Sequence, residues 1–214
     1  SEADLKARLE KLLADQALSG TGVADAFLQL NRAFSRQGDK AAVYAMIRDL
    51  AAPYASSPEA HAAVSLAALT AVGTAPAMVA IALARVDRAL ALKPDWDRAA
   101  LLKSEILAKR STDEAVAYLS AFLKTQPDSR PVRGALAQHY VEQKRLAEAR
   151  TIFQALAAEE PDVREYAMGV AILSYQMKDW AAAEAQFAKL AAAGDDGSAQ
   201  LYLAQIAEET RRYD

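Results

Sequence analysis

Few side chains in this sequence are of the types that carry out catalysis or bind metal ions. The chain has two histidines, His61 and His139, and no cysteine. Imidazole is a general base near neutral pH and a common metal ligand, but neither histidine belongs to a His-Glu-x-x-His pattern. The lack of cysteine excludes thiolate metal sites and cysteine nucleophiles. Both histidines lie in helical patterns, and we expect them to be packing residues.

Carboxylates are the other candidate chemical groups. The segment Gly194-Asp195-Asp196-Gly197 places two of them in a loop. Its spacing differs from that of a calcium-binding loop, so we expect a plain turn between two helices. The sequence has no glycine-rich phosphate loop and no Gly-x-Ser-x-Gly nucleophile pattern. It therefore predicts no enzyme, no cofactor and no metal site.

Composition and charge describe the framework that carries these groups. Alanine accounts for 52 of the 214 residues, against 8 glycines and 7 prolines, which favours closely packed helices over a β-sandwich. Lys and Arg total 25 and Asp and Glu 28, a net charge of −3. The longest basic cluster is Arg211–Arg212, and nucleic-acid-binding domains carry a basic face. We therefore expect no nucleic acid among the partners.

One uncharged segment is long enough to be considered as a membrane span. Residues 62–84 contain no charged side chain over 23 positions, and a bilayer needs about 20 apolar residues. Ten of the 23 are alanine, however, and Gly73 and Pro76 interrupt the segment. We expect two short buried helices joined by a turn and no transmembrane segment, with Thr74 as the N-cap of the second helix.

Apolar residues recur along the chain at a spacing of about 34 residues. Each repeat has three apolar residues at offsets of four and three, and in three repeats a proline follows five positions later. The columns are Val43-Ile47-Leu50, Ala82-Val86-Ala89-Pro94, Ala115-Leu119-Phe122-Pro127, Ala149-Phe153-Leu156-Pro161 and Ala183-Phe187-Leu190. These offsets place the apolar residues on one stripe of a helix, and proline ends that helix.

A second amphipathic helix precedes each stripe; Leu136, Ala137 and Tyr140 mark it in one repeat. Each repeat is thus a pair of helices, A and B, that buries its apolar faces by stacking on its neighbours. Aspartates follow the repeat prolines, at positions 95, 128 and 162, and we expect them to cap the next helix A.

These columns resemble the tetratricopeptide repeat (TPR) family, whose helix A carries a large residue, Leu and a small residue, and whose helix B carries Ala, an aromatic residue and Pro. Residues 131–161 match best, with Leu136 and Ala137 in helix A and Ala149, Phe153 and Pro161 in helix B. The resemblance implies an all-α fold, a right-handed α-solenoid of antiparallel helix pairs.

The resemblance covers residues 24–214, as about five helix pairs plus one unpaired C-terminal helix. Residues 1–23 are expected to form an N-terminal capping helix and a linker. Two places depart from the pattern, since Lys103 occupies a column for small residues and the repeat at 58–95 has an insertion of about five residues. The register over 58–110 is therefore left open.

In the family, four positions of each helix A line a concave groove in which peptides or helices bind. The corresponding residues here are Leu28, Arg32, Leu66, Leu69, Ser104, Leu107, Gln138, Val141, Met168, Ile172, Tyr175, Leu201 and Gln205. This apolar set predicts a groove for a hydrophobic or helical partner segment. The alternative is that neighbouring helices bury some of these residues, or that the register is displaced by one.

One ligand class known from the family is excluded. TPR domains that hold the acidic C-terminal tails of chaperones use a carboxylate clamp with two asparagines, and this chain has a single asparagine, Asn31.

The sequence therefore favours a non-catalytic scaffold or adaptor that binds other proteins or peptides. Residues 38–54 and 89–107 are similar to proteobacterial TPR lipoproteins of the outer membrane, which implies a periplasmic rather than a cytoplasmic location. The alternative is a structural component that self-associates through an uncapped C-terminal helix, or the repeat region of a longer multidomain protein, since the sequence stops at Asp214 where a further helix B is expected.

Overall fold

The structure, a computed structural model, describes Ala7 and residues 40–71, 75–194 and 197–210. Within these residues the chain forms ten α-helices and one 3-10 turn, Ala52–Tyr54. The helices are α1 Lys40–Ala51, α2 Pro58–Ala71, α3 Pro76–Leu92, α4 Asp97–Ala108, α5 Thr112–Thr125, α6 Arg130–Glu142, α7 Leu146–Glu159, α8 Arg164–Gln176, α9 Trp180–Ala192 and α10 Ser198–Glu209.

The chain divides into two units, Ser1–Tyr118 and Leu119–Asp214, and α5 runs across the boundary. In the first unit α2 is central, because it packs against α1, α3 and α4. In the second unit the helices from α6 to α10 pack in sequence order, each against the next. Each unit is thus built from consecutive helices that bury one another's apolar faces.

The helix B stripes form the buried core, as the repeat columns predict. The alanines that begin them, Ala82, Ala115, Ala149 and Ala183, are all fully buried. The large residue four positions later is also fully buried in four of the five stripes; these are Ile47, Val86, Leu119 and Phe187. Burial of such a side chain stabilises the fold by about 1.5–3 kcal/mol, and a small first residue lets the facing helix pack closely.

The repeat prolines set the ends of the B helices. α3 ends at Leu92 and α7 at Glu159, each two residues before a repeat proline. Proline disfavours helical backbone in the residue before it. Lys93 and Glu160 accordingly leave the helix, with φ of −142° and −131°.

The uncharged segment forms two helices, as predicted. It lies in α2 and α3, and no helix in the described part of the chain is long and apolar enough to cross a membrane. The predicted N-cap of α3 is wrong, because Ala75 and not Thr74 is the N-cap; Thr74 itself lies outside the described residues. Pro76 begins α3 with a suitable φ and no backbone N–H, so the first turn has one donor fewer to cap.

The predicted aspartate caps are wrong by one position. The N-caps of α4, α6 and α8 are Trp96, Ser129 and Val163, each one residue after the expected aspartate, because the turn that follows each proline is one residue longer. Of these three, Ser129 alone caps with its side chain, since its Oγ accepts a hydrogen bond from the Val132 N–H at 3.4 Å.

Helix α4 is displaced by one residue from the predicted register. Ser104 is 1% exposed and Lys103 is half-buried, so Ser104 fills the small-residue column that the sequence assigned to Lys103. The Lys103 ammonium lies 4.6 Å from the centre of the Tyr118 ring and 2.7 Å from a carboxylate oxygen of Asp87. Its charge is therefore paired at the edge of the helix packing.

Two lysines occupy left-handed backbone in the turns between helices A and B of the second unit. Lys144 has φ of 61° and Lys178 has φ of 59°. The next N–H in each turn, of Arg145 or Asp179, donates back to a carbonyl of the preceding helix at 2.8 or 2.9 Å. Glycine is the usual residue at such a helix end, because a side chain makes this conformation unfavourable.

Some predictions fall outside the described residues. They include the N-terminal capping helix and linker at 1–23, of which Ala7 alone is described, the start of the repeat region at 24–39, and Asp195 and Asp196. The glycines that flank these aspartates, Gly194 and Gly197, have φ of 88° and 97°.

Candidate functional site

The predicted groove residues of the second unit lie on three successive A helices. We call this surface the helix-A face of the second unit; its members are Gln138 and Val141 on α6, Met168, Ile172 and Tyr175 on α8, and Leu201 and Gln205 on α10. On α8 the three residues are spaced by four and three positions, so they lie along one side of the helix.

The α8 residues of this face are half-buried. Met168, Ile172 and Tyr175 pack against the core cluster that contains Phe187 and Ile206. Part of each side chain therefore contacts the core and part remains accessible to solvent.

An aromatic cluster supports the face from the C-terminal side. The Tyr175 ring lies 5.4 Å from Trp180 and 5.3 Å from Tyr202, centre to centre, and both pairs are edge-to-face at 70°. Tyr202 stacks on Phe187 at 4.5 Å and 7°. Such pairs each contribute about 0.5–1.5 kcal/mol beyond their buried area. Four rings thus connect α8, α9 and α10 and fix the position of Tyr175.

Leu201 is the apolar member of the face that is most open to solvent. Leu201 is 60% exposed, and every other large hydrophobic residue in the described ranges is buried or half-buried. Gln138 is also exposed, and Val141 and Gln205 are half-buried. The face therefore combines accessible apolar surface with two amide side chains.

Gly134 on α6 extends the column that Met168 and Leu201 occupy on the next two A helices. A Cβ atom at Gly134 would meet no heavy atom within 4 Å. Glycine inside a helix is less favourable than alanine by about 0.8–1.0 kcal/mol, and no described contact requires glycine at this position. The space beside the Gly134 backbone is therefore open.

The predicted groove residues of the first unit are more buried. Leu69 is 6% exposed and Ser104 is 1% exposed, so both belong to the helix packing; Leu66 and Leu107 are half-buried. Leu69 is buried because three helices surround α2, and Ser104 is buried because of the displaced register of α4. Leu28 and Arg32 lie outside the described residues.

Ion pairs join neighbouring helices of the second unit. Arg133 on α6 binds both carboxylate oxygens of Glu159 on α7, and this hydrogen bonding lowers the pKa of Glu159. Arg150 on α7 donates to Oδ2 of Asp179 at 2.7 Å and to the Ser174 hydroxyl at 3.3 Å. The hydrogen bond from Arg150 is also the main reason why the pKa of Asp179 is lowered. These pairs hold the helices that carry the face.

Both histidines have structural partners. His61 is 8% exposed, and its Nε2 donates to the Ala55 carbonyl at 2.9 Å. Nδ1 of His139 lies 3.0 Å from a carboxylate oxygen of Glu142. The described residues contain no group of three or more His, Cys, Asp and Glu side chains that could hold a metal ion.

Comparison with known proteins addresses the fold. Residues 107–173 match the family model described as tetratricopeptide repeat. PilF from Pseudomonas aeruginosa is similar in structure, with a TM-score of 0.62, 19% sequence identity, and coverage of 90% of this chain and 86% of that one. The fold is the TPR solenoid. The fold class predicted from the sequence is thus confirmed.

Two proteins described as TPR proteins also have similar structures. The protein TTC0263 from Thermus thermophilus has a TM-score of 0.56 and 19% identity, over 88% of this chain and 98% of that one. YrrB, described as a TPR protein with an unusual peptide-binding site, has a TM-score of 0.58 and 13% identity, over 92% and 97%. No curated protein sequence matches the chain. Identities this low establish the shared fold alone.

Gly134 was not predicted from the sequence as a member of the helix-A face of the second unit. Its signal was a lone glycine inside a helical pattern, which costs stability unless packing or binding requires it.

Proposed function

We propose that this chain is a non-catalytic TPR scaffold that binds an apolar segment of a partner protein on the helix-A face of the second unit. The observation that carries the proposal is Leu201, whose side chain is 60% exposed in the column of that face. Burial of a fully exposed leucine side chain contributes about 1.5–3 kcal/mol. A partner that covers the exposed 60% of Leu201 should therefore gain about 1–2 kcal/mol.

Gly134 supports the same surface. Its open position lets a partner approach the α6 backbone closely, which is a common reason for glycine in a regular element. Alanine at this position would make the helix more stable, but its side chain would restrict the approach of a partner to the backbone.

The amide side chains of the face suit a peptide partner. Gln138 is exposed and Gln205 half-buried, and each amide can donate to a carbonyl and accept from an N–H. Apolar contacts at Leu201 and Met168 supply affinity, and the amides fix the register of the bound backbone. The peptide-binding site named for YrrB, which has the same fold, is consistent with this use of a TPR surface.

We further propose that the protein acts as an adaptor in the bacterial periplasm. It rests on the similarity of residues 38–54 and 89–107 to outer-membrane TPR lipoproteins. Fractionation of cells that express the native gene tests the location, and recovery of the protein in the cytoplasm would contradict it.

Selection of a displayed peptide library on the purified chain tests the binding function. We expect enrichment of peptides with spaced apolar residues. An enriched peptide should then bind Leu201→Glu at least about tenfold more weakly, as for the loss of a buried apolar anchor. Gly134→Leu should weaken binding as well, because the leucine side chain occupies the open space beside the α6 backbone. Leucine is a good helix former, so the helix itself should be kept.

The matched control is Gln200→Glu, which adds a carboxylate at an exposed neighbouring position of α10 and should leave binding unchanged. Enriched peptides that bind Leu201→Glu and the original chain equally well would refute this surface.

Self-association is the second candidate, and the exposure of Leu201 on the last described helix supports it too. Light scattering separates the two functions. A chain that is monomeric at all concentrations and binds peptides supports the scaffold, and an oligomer that Leu201→Glu dissociates supports self-association.

A further inference from the structure

A cleft with four polar or charged side chains in its lining lies in the first unit. Its volume is about 230 Å³, and its lining comes from α1, the turn after α1, α2 and α3. The polar lining residues are Arg48, Asp49, His61 and Arg85, and most of the remaining lining consists of alanines, including Ala55. The alanine walls leave the space open, and the polar groups are two guanidinium groups, one imidazole and one carboxylate.

The hydrogen bonds of His61 define which of its ring nitrogens donates and which accepts in the lining of the cleft. Its Nε2 lies 2.9 Å from the Ala55 carbonyl oxygen. A carbonyl can only accept, so Nε2 carries the proton in this contact. Nδ1 faces Nη1 of Arg85 at 3.5 Å and accepts a long hydrogen bond from it. The imidazole therefore orients the Arg85 guanidinium from one side.

Arg85 has an incomplete set of partners. A guanidinium has five N–H donors, and in the described part of the chain the contact with His61 is the one polar contact shown for Arg85. No salt bridge among the described residues includes it. The side chain is half-buried, so this cation is partly removed from water without a carboxylate to balance it, which is unfavourable.

Arg48 adds a second positive charge to the lining. Its Nε and Nη2 lie 2.9 and 2.8 Å from one oxygen of Asp49, its neighbour in sequence, and its side chain is 48% exposed. Among the described residues of the lining, the charge of Arg48 is thus balanced and the charge of Arg85 is not. These residues together carry one positive charge in excess.

We propose that this cleft binds a single carboxylate group, which accepts hydrogen bonds from Arg85. One carboxylate neutralises the excess charge, and its two oxygens match the planar fork of a guanidinium. Arg48 is a second cationic side chain in the lining of the cleft. The carboxylate is supplied by the C-terminus of a peptide or by a small carboxylic acid. This inference concerns a different unit from the helix-A face and stands without the proposed function.

The size of the cleft limits the ligand. Sites for whole small molecules are usually about 300–1,000 Å³, and this cleft is smaller. It therefore accommodates the charged end of a ligand, with the remainder in solvent.

Titration of the full chain with sodium acetate, followed through arginine side-chain N–H signals by NMR, tests the site. Sodium chloride at matched ionic strength is the reference. We expect a saturable shift of the Arg85 signal with a dissociation constant on the order of millimolar, and at least about tenfold weaker binding in Arg85→Gln.

Two further variants make the test specific. Arg88→Gln removes an exposed arginine of the same helix that does not line the cleft, and it should bind acetate like the original chain. Ala55→Leu keeps every charge and reduces the volume of the cleft, and it should weaken binding. Circular dichroism confirms that each variant is folded.

The source of the carboxylate is read from two peptides, one with a free C-terminus and one amidated, neither with acidic side chains. Binding of the free form alone assigns a chain terminus, and binding of acetate without either peptide assigns a small carboxylic acid. The proposal fails if acetate gives no saturable shift, if Arg88→Gln loses as much affinity as Arg85→Gln, or if inorganic phosphate binds more tightly than acetate.

Discussion

Two glycines in similar helical positions should respond in opposite ways to the same substitution. Gly134 and Gly169 lie inside α6 and α8, both in the second unit. A Cβ at Gly134 would meet nothing within 4 Å, whereas a Cβ at Gly169 would lie 3.2–3.3 Å from three ring carbons of Phe153 on α7. We expect Gly134→Ala to stabilise the chain and Gly169→Ala to destabilise it.

The magnitudes follow from two effects. Replacement of glycine by alanine inside a helix gains about 0.8–1.0 kcal/mol of unfolding free energy, and this gain is shared by both variants. Carbon atoms pack best at about 3.5–4.0 Å, so in Gly169→Ala the Phe153 ring must move by several tenths of an ångström. Overpacking of this kind costs about 1–3 kcal/mol. Gly134→Ala should therefore gain about 1 kcal/mol, and Gly169→Ala should lose about 0–2 kcal/mol.

Urea unfolding followed by circular dichroism measures both variants. Because the helix-propensity gain is common to them, the difference between their free energies isolates the steric cost at Phe153, about 1–3 kcal/mol. Phe153→Leu, made alone and with Gly169→Ala, completes a double-mutant cycle. A smaller side chain relieves the contact, so the double variant should be more stable than the sum of the single effects by about 0.5–3 kcal/mol.

Equal stabilisation by the two alanines would refute this reasoning, since the approach of α7 to α8 would then not depend on glycine. A cycle without coupling would show that the Gly169→Ala effect arises somewhere other than Phe153.

Three further measurements test other features. Lys144→Gly and Lys178→Gly should each stabilise the chain by about 0.5–1 kcal/mol, because glycine accepts the left-handed turn, whereas Lys189→Gly inside α9 should destabilise it by about 1 kcal/mol; thermal unfolding shows whether the signs differ. Burial, with a contribution from Asp87, raises the pKa of Tyr118 to about 12. The contribution of the protonated Tyr118 side chain to stability is therefore complete below the unfolded pKa of 10.0 and is lost as the pH rises through about 12. Phenolate absorbance should show one late-titrating tyrosine that is missing in Tyr118→Phe, and identical titration curves would contradict this. Asp179 has a lowered pKa, so its contribution is present above about 3.8 and is lost as pH falls through the lower folded value. In Asp179→Asn, which keeps an acceptor for the Ala182 N–H, the urea midpoint should be less sensitive to acid than in the original chain.

The B helices could be predicted well from sequence because two independent signals agree there. The apolar spacing of Ala149, Phe153 and Leu156 defines a helical stripe, and Pro161 limits where that helix ends. The apolar stripe defines which face of the helix is buried, and the proline limits where the helix ends. In the structure α7 ends at Glu159.

The A helices were harder to predict because their register depends on neighbours that are distant in sequence. In α4 the spacing to the next repeat assigned Lys103 to a small column, but the ammonium is placed by Asp87 and Tyr118. Burial of Leu69 follows from the three helices around α2, and no local pattern reports how many neighbours a helix has. The carboxylate cleft has the same origin, since Arg48, His61 and Arg85 come together through packing.

The sequence-ordered packing of the second unit also determines how quickly that unit forms. Each helix from α6 to α10 packs against the next along the chain, so its contacts join residues separated by short loops. Little chain entropy is lost before such contacts form, and helical domains of low contact order fold in about microseconds to milliseconds. We therefore expect the second unit to assemble helix by helix as the polypeptide leaves the ribosome, without waiting for distant segments of the chain.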